Sequence, residues 1–204
     1  MKIFKNIIIA TSAVVFLACS STQTTATWSK PHSEPNNFHK VAVLGIMGSL
    51  SARQSFEYEI VEQLQKEGVP AVAAMQMLPP KKKNVSVDQM IRRLHQDGVD
   101  AVMVVSLSDV DRKKQYVPGS TYVRPRTYYN RFGDYYVHTH RRVHTPGYVR
   151  RSTTYFLEST LYDLHNQELI WTSEAKSTDP NSLKSASKSY AKSIVKSLDK
   201  DEII

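Results

Sequence analysis

Between residues 40 and 107, short apolar runs alternate with capped, amphipathic stretches, and this alternation most constrains the fold. Lys40-Val41-Ala42-Val43-Leu44-Gly45-Ile46 is apolar at both parities, which suits a strand buried on both faces. Gly45 and Gly48 break that run. Ser51-Ala52-Arg53-Gln54 has capping-box spacing, and Phe56, Ile60, Val61 and Leu64 follow at helical intervals up to a stop at Gly68. Residues 69–75 read as a second strand, with Pro70 near its start, where a missing N–H does least harm. Pro79-Pro80 and Lys81-Lys82-Lys83 form a solvated loop. Ser86-Val87-Asp88-Gln89 repeats the capping box, with Val87, Ile91 and Leu94 inward and Gly98 as the stop. Residues 100–107 are the third strand. Strand, helix, strand, helix, strand with short connections predicts a parallel sheet with right-handed crossovers.

The period then changes. Residues 153–163 alternate Tyr155, Leu157, Ser159 and Leu161 against Thr154, Phe156, Glu158, Thr160 and Tyr162. His165-Asn166-Gln167 offers a turn, and residues 168–177 form a partner strand carrying Leu169 and Trp171, so an antiparallel hairpin joins the parallel core. Asp179-Pro180 supplies an N-cap and a first-turn proline for a last helix whose Leu183, Ala186, Tyr190, Ile194 and Leu198 share one face. The expected fold is therefore α/β, a three-layer type with βαβαβ-ββ-α order and a long inserted arm. That order, the hairpin Leu161-Tyr162-Asp163-Leu164 to Glu168-Leu169-Ile170-Trp171-Thr172 and the closing helix resemble the TolB N-terminal-domain-like group. The group includes the periplasmic domains of CsgG and LpoB and several envelope lipoproteins. The resemblance implies a non-catalytic module used in envelope assembly or in contacting a partner enzyme, and related domains assemble into rings.

At the other end, Lys2 and Lys5 precede an apolar run from Ile7 to Ala18 that is too short to span a bilayer and has the order of a secretory signal peptide. Val15-Phe16-Leu17-Ala18-Cys19-Ser20 resembles the lipobox of bacterial lipoproteins, with Phe16 and Leu17 where leucine and a small residue are usual. An ordinary signal peptide followed by a chance cysteine is the plainer alternative. The lipobox implies that residues 1–18 are removed and that Cys19 carries the lipid. Ser20 after it implies sorting to the outer membrane, facing the periplasm. Residues 19–38, rich in Ser, Thr, Asn and Pro, read as a flexible tether, and 39–204 as one domain. Cys19 is the only cysteine, so no disulfide framework, thiolate metal site or thiol nucleophile is expected.

The formal charge of +8 is unevenly placed. Within 112–151, ten cations (Arg112, Lys113, Lys114, Arg124, Arg126, Arg131, Arg141, Arg142, Arg150 and Arg151) face the single acid Asp134, so the rest of the chain after residue 18 is mildly acidic. Seven of the eleven tyrosines lie in the same segment. Pro118-Gly119 and Pro146-Gly147 mark turns near its two ends. An extended two-stranded arm with Arg131-Phe132-Gly133-Asp134 near its tip is one form it can take, and a mobile, solvated loop with tyrosines packed on the sheet is the other. As a binding surface, its first candidates are Arg124, Arg126, Tyr128, Tyr129, Arg131, Tyr135, Tyr136, Arg141, Arg142 and Arg150. An exported protein meets little nucleic acid. An envelope protein or an anionic envelope polymer is the expected partner, besides the membrane reached through the N-terminal lipid.

Catalytic and cofactor chemistry is disfavoured, and no cofactor is expected. Gly45-Ile46-Met47-Gly48-Ser49 joins a strand to a helix, yet it lacks the third glycine of the dinucleotide fingerprint and the Lys-Ser/Thr of a P-loop. His138, His140 and His144 are the weak candidates for a metal, opposed by neighbouring arginines. Glu57, Glu59 and Glu62 read as a solvated helix face with an Arg53–Glu57 pair. Asp109 and Asp111 follow the third strand without a chemical partner. The leading expectation is a non-enzymatic binding or accessory factor. The alternatives are a small-ligand or enzymatic domain using the crevice after strands one and three, and an oligomeric structural subunit.

Overall fold

A computed structural model describes residues 22–31, 38–78, 86–129 and 136–204, with 123–129 and 136–143 described by their backbone course alone. Residues 1–18, read above as a signal peptide, Cys19, Lys81-Lys82-Lys83, Arg131 and Tyr135 lie outside the described residues.

The architecture is mixed α/β. The strands are β1 (Thr22–Ser29), β2 (Val41–Ile46), β3 (Ala71–Ala73), β4 (Ala101–Val117), β5 (Ser120–Tyr129), β6 (Tyr136–Thr145), β7 (Tyr148–Asp163) and β8 (Leu169–Thr178). The helices are α1 (Leu50–Lys66), α2 (Ala74–Met77), α3 (Val87–Gln96) and α4 (Leu183–Lys200). Six strands form one sheet in the order β1-β8-β7-β4-β2-β3, and β5 and β6 pair separately. β3, β2 and β4 run parallel, while β7, β8 and β1 add on antiparallel.

From β2 the chain crosses outward to β3 through α1, then back over β2 to β4 through α3. Right-handed crossovers in opposite directions put the two helices on opposite faces. The core divides accordingly. Val41, Val43, Met103 and Val105 pack with α1 and α4, whereas Ala42 and Val102 pack with Leu94 of α3 and with Val99. Trp171, fully buried, anchors the first layer and donates its indole N–H to Asp201 Oδ2 at 2.9 Å. Phe56 of α1 meets Tyr190 of α4 edge-on, with centroids 5.4 Å apart, and burial pushes the Tyr190 phenol well above its ordinary pKa.

Local signals set most helix ends. Ser86 and Gln89 complete the capping box expected at α3. Gly68 (φ 83°) and Gly98 (φ 72°) take the left-handed conformation that ends α1 and α3, which a side chain would resist. Other expectations need correction. α1 starts two residues early, capped by Ser49 rather than Ser51. The second strand is only β3, because the chain turns into α2 at Ala74. α4 is capped by Ser182 rather than Asp179. The tether of 19–38 is not free throughout, since Thr22–Ser29 is an edge strand on β8. Its Thr22 and Thr24 hydroxyls bond Ser189 and Ser193 of α4 at 2.6 and 2.8 Å. A Thr-rich segment has no apolar alternation, but it does have hydroxyls to match a serine-bearing helix.

Glu57 departs furthest from the sequence reading. It is wholly buried rather than solvated. Its carboxylate accepts the Gly45 N–H at 2.9 Å, the Met75 N–H at 2.8 Å and Arg53 Nε at 2.7 Å, and Arg53 also donates to the Leu78 carbonyl at 3.2 Å. One side chain thereby ties the end of β2 to the start of α2.

Candidate interaction ribbon and the cleft at its root

β4 and β7 outrun their neighbours. β2 ends opposite Ser106, and β8 ends opposite Thr154, but the β4–β7 ladder continues to Val117 opposite Tyr148. From Arg112 onward the two strands pair only with each other. A bulge between Leu107 and Asp109 lies just past the end of the β2–β4 pairing. Asp179 fastens the root on the β7 side. Its carboxylate accepts the Thr153 N–H at 2.6 Å and the Ser152 hydroxyl at 2.9 Å, and its own N–H donates to the Thr153 carbonyl at 2.9 Å. The Thr153 N–H, with the Ser152 hydroxyl and the Arg150 charge behind it, holds the Asp179 carboxyl below its usual pKa.

The Pro-Gly pairs are not hairpin turns. Pro118-Gly119 and Pro146-Gly147 face each other across the ribbon, between the last β4–β7 pair and the Ser120–Thr145 pair that opens β5–β6. Proline offers no N–H to the ladder, so one proline on each strand interrupts it on both at once. The joint is tight. A Cβ on Gly119 would run into the Thr145 carbonyl and lie 2.8 Å from the Gly147 nitrogen, while a Cβ on Gly147 would run into the Tyr116 phenol. Beyond the joint, ten β5–β6 pairs reach Tyr129 opposite Tyr136. At about 3.4 Å per residue this adds about 34 Å.

The register places the candidate residues. Arg124 lies opposite Arg141, Val123 opposite Arg142, Arg126 opposite Thr139, and Tyr128 opposite Val137. At the root, Lys114 lies opposite Arg151 and Gln115 opposite Arg150, and all four are exposed. Tyr116 and Tyr148 are exposed too. On the β5–β6 ladder His138 lies opposite Thr127, His140 opposite Pro125 and His144 opposite Thr121. His144 Nδ1 sits 3.1 Å from the Thr121 hydroxyl. Among the described residues no three His, Cys, Asp or Glu side chains converge as metal ligands.

Groups at the crevice after the first and third expected strands are committed to partners within the chain. The Gly45 N–H goes to Glu57, and the Ala52 N–H goes to the Ser49 hydroxyl. Asp109 accepts the N–H of Val110 at 2.7 Å, and Asp111 pairs with Lys113 at 3.0 Å. Beside this turn lies a feature the sequence did not reveal, an open cleft of about 400 Å³ between the N-terminal ends of α1 and α4. Met47, Phe56, Leu107, Tyr155, Leu157 and Leu183 line it. The exposed Leu107 and Leu183 were the available signal, because apolar residues in a strand and at a helix start read as core when taken singly.

No family model matches the chain, and no curated protein matches it. Solved structures show similarity at low identity. A PelC L103M dodecamer from Paraburkholderia phytofirmans is 16% identical, with 84% of this chain and 96% of that chain covered and a TM-score of 0.47. A second PelC dodecamer from the same organism is 14% identical over 85% and 94% of the two chains, with a TM-score of 0.46. Lipoprotein GNA1162 from Neisseria meningitidis is 14% identical over 79% and 98%, with a TM-score of 0.41.

Proposed function

We propose that this chain is an outer-membrane lipoprotein, anchored through Cys19 and facing the periplasm, whose TolB-N-like domain is a non-catalytic accessory factor that binds an anionic envelope polymer along the ribbon. The observation that carries this reading is the ribbon's register. Lys114 lies directly opposite Arg151, and Arg124 directly opposite Arg141. Like charges opposite one another destabilise a strand pair, and an isolated two-stranded ribbon is marginal in water. A ribbon built this way gains stability from an external anion. Its length favours an extended polymer with repeating carboxylates or phosphates over a single small anion. The carboxylates nearest the crevice, Glu57 and Asp109, are engaged by backbone N–H groups, which supports a binding role over catalysis.

The test is binding of the full chain to alginate, a polyuronate, with neutral dextran as control, across a salt series. Binding to alginate alone that weakens as salt rises, and that is lost in an Arg124→Ala, Arg126→Ala, Arg141→Ala, Arg142→Ala variant, is the expected result. Equal binding by that variant would remove the ribbon from the site. Capture of a defined envelope protein instead of polymer would move the partner class to protein.

A further inference from the structure

The cleft between α1 and α4 has three properties that together indicate an occupant. Its lining is mostly apolar, and two of the lining residues, Leu107 and Leu183, are exposed. The helix starts that flank it already have their caps filled, by the Ser49 hydroxyl accepting from Ala52 and the Ser182 hydroxyl accepting from Ser185, so it is not an anion cradle. Ser177, 1% exposed and among its lining residues, carries a hydroxyl without a hydrogen-bond partner. A buried hydroxyl is normally paired, and one left open beside an apolar cleft suits a ligand with a long hydrocarbon body and a polar ester or amide end.

The start of β1 lies beside the same place. Thr22 is paired directly with Ser177. Cys19 is three residues earlier, at most about 11 Å of chain. Paired strands add about 5 Å, so the Cys19 Cα lies within about 16 Å of the Ser177 Cα. A lipid on Cys19 can therefore bring its ester or amide end to Ser177, and its chain, about 15 Å long because a bilayer core of about 30 Å is two chains thick, can run on into the cleft.

We infer that the cleft is an acyl-chain site and that its occupant is a fatty acyl group carried by the protein's own Cys19. The inference rests on the lipid-anchor reading above. In this state one acyl chain is sheltered by the domain and the remaining lipid holds the membrane. The ribbon, which leaves the sheet from the same end, is thereby held close to the bilayer surface.

The test uses the full chain from membranes in its native form and as Cys19→Ala, each alone and with Leu183→Glu or Ala52→Trp. The first substitution places a carboxylate at the cleft mouth, where a helix N-terminus tolerates it, and the second fills the cleft. The probe is the fluorescent polyene parinaric acid. Saturable binding to the Cys19→Ala form is expected, at least about tenfold weaker in the native form and in both cleft variants, with unchanged circular dichroism. No binding to Cys19→Ala, or equal binding in the cleft variants, would overturn the site. Equal binding by native and Cys19→Ala forms would overturn the protein's own lipid as occupant. Intact mass reads the anchor separately, since an unmodified Cys19 would overturn that reading whatever the probe reports.

Discussion

Replacing Glu57 tests the packing logic most severely, because the residue looks dispensable in sequence and central in structure. Its fully buried carboxylate satisfies two backbone N–H groups and a guanidinium that is itself only 14% exposed. Glu57→Ala leaves Arg53 as a buried cation without its counter-ion, a loss of about 3–5 kcal/mol. It also strands the Gly45 and Met75 N–H groups at about 1–3 kcal/mol each. These penalties share one network and do not add, so a net loss of about 4–6 kcal/mol is expected. Against a typical domain stability of about 5–15 kcal/mol, that is enough to leave the chain close to unfolding. Glu57→Gln keeps one acceptor oxygen but aims an amide donor at other donors, and about 2–3 kcal/mol is expected. The assay is urea unfolding of the full Cys19→Ala chain followed by fluorescence, with Glu62→Ala, whose Lys66 partner is on the exposed face of the same helix, as a control expected to show no measurable change. A Glu57→Ala midpoint indistinguishable from that of Glu62→Ala, at unchanged slope, would refute the reasoning. An Arg53→Met, Glu57→Ala double variant should recover part of the loss, because it removes the orphaned charge.

Truncating the chain at residue 39 removes β1 and exposes the β8 edge together with the serines of α4. A lower urea midpoint and concentration-dependent aggregation are expected by light scattering, whereas a tether could be removed without either. Gly119→Ala should disrupt the ribbon joint, since its Cβ meets backbone, and Gly147→Ala should be milder, since the Tyr116 side chain can swing away. Amide exchange across β5 and β6 would distinguish them. For Asp179, the folded pKa lies below the unfolded one. Its contribution is therefore complete above the normal carboxylate range and is lost as pH falls through the folded value. Thr153 amide protection should fade only on acidification below the ordinary carboxylate range, and should lose that pH dependence in Asp179→Asn.

The sequence alone determined the features that rest on neighbours a few residues apart. The apolar parity of 41–46 and 101–105, the Ser86–Gln89 capping box, and the helix stops at Gly68 and Gly98 are short-range physics, and they led to the parallel core, the β7–β8 hairpin and the α/β class. Only the tertiary structure decided the rest. Thr22–Ser29 becomes a strand because β8 and α4, about 150 residues away in sequence, present complementary backbone and hydroxyl groups. Glu57 lies three, four and seven residues before Ile60, Val61 and Leu64, so the helical repeat already puts it on the apolar face, unlike Glu62, but the Gly45, Arg53 and Met75 groups that satisfy it there converge only in the fold. The echoing Pro-Gly pairs were visible in the sequence, but their meaning as one joint required the β4–β7 register. The apolar cleft forms only where two helix ends meet the middle of β4 and β7 and the end of β8. Periodicity and capping report local free energies, whereas strand pairing, charge burial and cavities arise from contacts between segments far apart in the chain.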